Sequence, residues 1–149
     1  MNPIIRVSLR YGAIAGIIGA VLLIALYYLG RHPLLIPVYL DFRIILFFVF
    51  IFFALREIRD YHFGGILYFW QGVIASFLFT TVFALIASFS ILGFVTAVPG
   101  FLSEYIDLTL QQMRSLPKEV IESIGEEVYQ RNLDLLPATD ARMLAFTYF

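Results

Sequence analysis

Few residues in this chain have the type and spacing to do chemistry. Asp41 and Arg43 stand out because ionisable groups next to long apolar sequence default to a functional reading. On one helix, two apart, they point to different faces and are not expected to partner. The bland reading is that Asp41 favours the positive end of a helix and Arg43 snorkels to an interface. Gln71 is expected to hydrogen-bond a neighbouring helix, for about 1 kcal/mol. These three side chains are the candidate polar lining of a path. Arg56 and Arg59, three apart, could present one face to lipid phosphates, although Glu57 and Asp60 dilute that charge and anchoring explains the pair equally well. His32 and His62 lack the neighbours of a metal site. Glu119, Glu122, Glu126 and Glu127 read as a solvated helix face. The chain has no cysteine, which removes disulfides, thiolate metal sites and a Cys nucleophile. No catalytic, cofactor-binding or metal-binding constellation is visible, so the expectation is a protein that is not an enzyme and needs no cofactor.

The elements that must position these residues are unusually apolar. Of 149 residues 61% are hydrophobic and the mean hydropathy is +0.89, well above a soluble domain. Residues 11–30 and 66–98 contain no Asp, Glu, Lys or Arg. About 20 such residues cover the roughly 30 Å hydrocarbon core of a bilayer. The first run is too long for the apolar region of a signal peptide and lacks a small-residue cleavage site, so it reads as an uncleaved helix. A net charge of −1 with one lysine argues against a nucleic-acid surface.

The second helix is less plain. Its charge-free part, residues 44–55, is only about 18 Å long, so the segment is expected to begin near Pro37, a residue favoured in a first turn. The third run would be about 50 Å long as one helix and is expected to loosen or stop around Gly93, Pro99 and Gly100. Beyond it, Phe101, Leu102, Tyr105, Ile106, Leu110 and Met113 recur at helical spacing, as do Val120, Ile121, Ile124 and Val128. Two short surface helices are expected, the second opening near Ser115. A turn over 135–140 and the start of another apolar helix follow. The predicted fold is an all-α, polytopic helical membrane protein in one membrane domain. Three transmembrane helices lie at about 8–30, 37–58 and 64–98, amphipathic helices at about 100–136, and an incomplete fourth span at 141–149.

Small residues recur every four positions: Gly12, Gly16 and Ala20 in the first helix, and Gly72, Ser76, Thr80, Ala84 and Ser88 in the third. In lipid such stripes let backbones approach, and the two are expected to face each other as helix-packing surfaces, within one chain or between two. Arg6, Arg10, Arg56 and Arg59, set against a tail after Pro99 with eight carboxylates and four cations, favour a cytoplasmic amino terminus.

Three stretches carry a likeness: Asp41-Phe42-Arg43-Ile44-Ile45-Leu46-Phe47, Arg56-Glu57-Ile58-Arg59-Asp60, and Gly64-Gly65-Ile66-Leu67-Tyr68-Phe69-Trp70-Gln71-Gly72. Together the chain resembles the bacterial domain-of-unknown-function family four-one-nine-nine along essentially its whole length. The resemblance implies a small membrane protein, usually of four helices, and supplies no activity, cofactor or catalytic residue. Members typically run on through a full last helix, whereas this sequence stops at Phe149. The expected role is therefore an accessory or scaffold subunit of the bacterial inner membrane, multi-pass, acting through helix packing. Its partners would be the lipid bilayer and either further copies of itself or a larger membrane complex, with no nucleic acid. The alternative is a small carrier or lipid-handling protein, for example one assisting polyprenyl-linked sugar chemistry.

Overall fold

The structure is a computed structural model that describes residues 2–36 and 41–147. Every regular element among them is helical: α1 (Pro3–Tyr28), α2 (Phe42–Glu57), which runs on as a π-helical turn (Ile58–His62), α3 (Phe69–Ala97), α4 (Phe101–Arg114), α5 (Lys118–Ile124), α6 (Glu126–Leu135), a 3-10 turn (Leu136–Ala138) and α7 (Ala141–Thr147). The chain divides into two compact units, one reaching Ser90 and the other spanning Ile91 to Thr147. Two helices, α1 and α3, are long and apolar enough to cross a membrane. The helix of 16 residues at α2 is not among them, so the expectation of three spans is met at two by length and composition alone.

Helix ends follow local chemistry. Asn2 caps α1, its side chain accepting from the Ile4 N–H at 3.0 Å, with Pro3 in the first turn. Asp41 caps α2 from an extended backbone at φ −81°, ψ 101°. That helix therefore starts at Phe42 rather than near Pro37, a position outside the described residues. Third-helix residues 64–68 are not helical as expected: Gly64 and Gly65 take φ of +62° and +90°, a left-handed turn that side chains would resist. The helix opens only at Phe69, then passes through Gly93 without a break and ends at Ala97.

In the first unit α1, α2 and α3 share one core built on Ile4, Val7, Ala15, Ala54, Ile58, Ala75 and Phe79. Phe47 of α2 inserts between two rings of α3, with centroids 5.3 Å from Phe79 and 5.3 Å from Phe83. Edge-to-face pairs of this kind add about 0.5–1.5 kcal/mol each beyond their buried area. A Cβ placed on Gly12 would lie 2.8 Å from the Phe79 carbonyl oxygen, and one on Gly16 would lie 2.9 Å from Ile86 Cβ. The two helices touch nearly backbone to backbone. Residue numbers rise together along this contact, so α1 and α3 run parallel, while Glu57 at the end of α2 meets Arg10 and Tyr11 near the start of α1, making α2 antiparallel to both.

The facing surfaces differ from those expected. On α1 the buried small residues are Ser8, Gly12, Ala15, Gly16 and Gly19, whereas Ala20 is only half-buried. Strict steps of four drift by about 40° each around a helix, so a long contact must take a step of three, and Gly19 replaces Ala20. On α3 the residues meeting α1 are Phe79, Val82, Phe83 and Ile86. Gly72 has only Leu67 Cδ2, at 3.8 Å, near its open position, and Thr80 is exposed. The small stripe of α3 does not face the glycines of α1. Bulk on α3 fills the notch of α1 instead.

Between Phe101 and Leu135 the second unit holds three short helices where two were expected. Ser115 closes α4 instead of opening the next helix, its hydroxyl donating to the Gln112 carbonyl at 2.8 Å. Gly125, at φ +95°, breaks the run from Val120 to Val128 into α5 and α6. Phe101 is fully buried edge-on against Phe94, at 5.1 Å. The Tyr129 hydroxyl donates to the Met113 carbonyl at 3.1 Å and ties α6 to α4. The turn expected over 135–140 contains the 3-10 turn, and α7 follows with Leu144 and Ala145 buried.

The contrast between the two glycines is testable. Gly12→Ala must push its methyl against a backbone carbonyl that cannot swing away, and overpacking of this kind costs about 1–3 kcal/mol. Gly72→Ala meets no such obstacle and gains about 0.5–1 kcal/mol of helix preference. Thermal unfolding in detergent should show a lower Tm for the first and an equal or higher Tm for the second.

Candidate functional site

The strongest convergence of polar side chains in the first unit lies where α1, the end of α2 and the π-helical turn meet. Arg10 is the last charge before the apolar run of α1, and Arg56 and Glu57 are the first charges after that of α2. Antiparallel packing brings these two boundaries to one level. Arg10 Nη2 donates to both Glu57 carboxylate oxygens at 2.6 Å, and the Tyr11 hydroxyl donates to Oε2 at 2.8 Å. The Arg10 guanidinium also sits 5.2 Å above its neighbour's ring, Tyr11. Glu57 thus joins two helices across 47 residues of sequence.

Beside this knot is a cleft of about 660 Å³, lined by Arg10, Tyr11, Phe53, Arg56, Glu57, Asp60, Tyr61 and His62. Arg56 Nε lies 3.4 Å from Asp60 Oδ2, while Arg59 Nε donates to Asp60 Oδ1 at 2.7 Å. The Arg59 hydrogen bond and charge hold the Asp60 carboxyl below the usual carboxylate range. Of the two arginines singled out in the sequence, only Arg56 lines the cleft. Arg10, Tyr11 and Glu57 were missed, although each flanks a charge-free run at a height that helix direction makes common.

Asp41 and Arg43 overturn the expectation that they avoid each other. Arg43 Nε donates to Oδ1 of Asp41 at 2.8 Å, Nη2 donates to Oδ2 at 2.6 Å, and the Arg43 backbone N–H donates to Oδ1 at 3.0 Å. The reason is that Asp41 precedes the helix, and its extended backbone folds the carboxylate back over the first turn. Arg43 Nη2 also donates to the Pro33 carbonyl at 3.0 Å, fastening the connection after α1. Burial alone would raise the Asp41 carboxyl, but the hydrogen bonds and charge of Arg43 hold it below its ordinary value. This is a clamp on a helix end.

Gln71 also acts within its own helix. Buried at 7% exposure, its side-chain oxygen accepts from the Tyr68 N–H at 3.1 Å while the Gln71 N–H donates to the Tyr68 carbonyl. Such a reciprocal pair closes the first turn, so Gln71 caps α3 rather than bridging to a neighbour. Asp41, Arg43 and Gln71 are not brought together as a path. Ser76, Ala84 and Ser88 of the α3 stripe are half-buried, and the Ser88 hydroxyl has no partner among the described residues. His32 stacks edge-on to Tyr27 at 6.3 Å. No group of acidic or imidazole side chains that could hold a metal occurs among the described residues.

A family model described as a protein of unknown function (DUF4199) matches residues 10–147. No curated protein and no solved structure matches the chain.

The Asp41 clamp carries a pH signature. A carboxyl whose folded value is depressed stabilises fully at neutral pH, and that contribution is lost as the pH falls through its ordinary value of 3.8 and below. Asp41→Asn keeps a good capping residue without the charge. Between about pH 7 and about pH 3 its Tm should therefore fall less than that of the wild type. At the other end of α2, Tyr11→Phe should cost about 0.5–1 kcal/mol by removing one hydrogen bond to Glu57, read as a shift in the same unfolding midpoint.

Proposed function

Because the chain belongs to the DUF4199 family, whose description assigns no activity, we propose a role from the geometry. The protein is an integral membrane protein of the bacterial cytoplasmic membrane, non-catalytic, acting as an accessory or scaffold subunit through helix packing. The carrying observation is the parallel contact of α1 with α3. If both of these apolar helices cross the bilayer in one direction, α2 must return across it, giving three spans even though its charge-free part is short. The outward surface supports the same setting. Val21 of α1, Phe48 of α2, and Phe77 and Phe89 of α3 are 59%, 63%, 69% and 69% exposed, an apolar surface that a soluble monomer rarely shows.

Helix packing remains open on one side. The glycines of α1 are used within the chain, whereas Gly72 of α3 has only Leu67 Cδ2 near its open position and Thr80 is exposed. Small residues of this kind admit a second helix in lipid, either from another copy or from a larger membrane complex. Elsewhere on α3 two hydroxyls bond back to their own turn, Thr81 donating to the Phe77 carbonyl at 2.8 Å and Ser90 to the Ile86 carbonyl at 2.6 Å.

Since the chain contains no cysteine, single replacements report topology directly. In intact cells stripped of any outer barrier, an impermeant maleimide should label Arg31→Cys, while His62→Cys should react only after lysis. Labelling of both from one side would remove the return crossing of α2. Ser76→Cys should form a disulfide or crosslink in native membranes, and Ile14→Cys on the outer face of α1 should not. A bare monomer with no adduct at Ser76 would count against the scaffold role.

A further inference from the structure

The cleft beside the Arg10–Glu57 knot has a charge pattern that selects a ligand class. Two guanidiniums, of Arg10 and Arg56, and two carboxylates, of Glu57 and Asp60, line it, and Arg59, outside the lining, pairs with Asp60. Half of that set is already committed. Glu57 accepts three hydrogen bonds, from Arg10 and Tyr11. Asp60 is half committed, its Oδ1 accepting from Arg59 Nε at 2.7 Å, and Arg56 is held only loosely. Their only mutual contact is 3.4 Å, the Arg56 side chain is 58% exposed, and Asp60 Oδ2 has its other contact, with Arg59 Nη2, also at 3.4 Å. One cation and one carboxylate oxygen remain available a few ångströms apart.

We infer that this cleft holds the head group of a zwitterionic phospholipid with a primary ammonium, its phosphate on Arg56 and its ammonium on Asp60. The inference rests on the membrane reading above. A head group carrying only negative charge would leave Asp60 Oδ2 with no donor closer than 3.4 Å. A quaternary ammonium has no N–H for Oδ2. A primary ammonium with a phosphate one short linker away satisfies both. The lipid, rather than a free phosphate ester, is the occupant because Phe53 lines the same cleft one helical turn from Arg56 on the apolar side and is 46% exposed. Tyr61, 83% exposed, and His62 also line the cleft. The volume of about 660 Å³ is ample for a head group.

The test uses the full chain in nanodiscs of phosphatidylcholine containing equal small fractions of phosphatidylethanolamine and phosphatidylglycerol, with lipid retained after gentle detergent exchange quantified by mass spectrometry. Wild type should retain phosphatidylethanolamine about fivefold over phosphatidylglycerol, the equivalent of one partly exposed ion pair. Asp60→Asn should abolish that preference and turn it toward phosphatidylglycerol. Arg56→Ala should lose retention of both, and Arg6→Ala, exposed on α1 outside the cleft, should change neither. Equal retention by wild type, a preference for phosphatidylglycerol, or an equal loss in Arg6→Ala overturns the proposal, and the wild-type ratio depends on no variant folding. Displacement by an equal concentration of soluble glycerophosphoethanolamine would overturn the lipid as occupant. Carbonate extraction of the same membranes separates the two readings. Protein that resists extraction yet shows no preference fails this inference alone, whereas protein released by carbonate fails the membrane reading as well.

Discussion

The packing of the first unit depends on the near contact of two backbones, α1 at Gly12 and Gly16 against α3 at Phe79 and Ile86. In a bilayer apolar burial gives helices little reason to associate, and close van der Waals contact must supply it. A notch of small residues achieves this only if bulk from the other helix fills it. Val82 and Ile86 do so, which leaves Phe79 and Phe83 turned where Phe47 of α2 can wedge between them. The position of α2 follows from the notch, and with it the height at which Glu57 meets Arg10.

Polar groups are placed by a complementary rule. Asn2, Asp41 and Gln71 each satisfy a backbone N–H at the start of a helix, where four donors lack an intrahelical partner. The hydroxyls of Thr81, Ser90 and Thr96 in α3 bond back to their own turn. Ionisable side chains of the first unit gather at helix boundaries, where an opposite charge or water can meet them. The two clusters differ in how fully they close: Arg43 and Asp41 consume one another at 16% and 13% side-chain exposure, whereas Arg56 and Asp60 stay loosely joined at 58% and 34%.

Much of this was legible in the residues alone. Charge-free runs and helical periodicity carry the all-helical character and the two long helices, and the stretches 41–47, 56–60 and 64–72 carry the family likeness, because those signals are local. The misread features depend on rotation or on a single backbone angle. The spacing of Asp41 and Arg43 reads as helical, yet one extended residue converts two diverging side chains into a bidentate pair. The α3 stripe was matched to that of α1 by residue size, although a notch is filled by branched side chains as well as by small ones. Gly125 split a regular apolar pattern because φ at one glycine is invisible to periodicity. The cleft escaped notice for a different reason: Arg10 and Glu57 become neighbours only once the direction of two helices is known.

The parallel contact also has a history in time. A ribosome releases this chain from the amino end, so α1 is made with its notch empty. The hairpin with α2 can close through Arg10 and Glu57 as soon as the residues up to the π-helical turn have emerged. Phe79 and Ile86 arrive later, after roughly 70 residues have followed Gly12, which at about 5–20 residues per second is a delay of several seconds. For that interval the most closely packed surface of the finished protein is its least protected one, open to whichever neighbouring helix reaches it first.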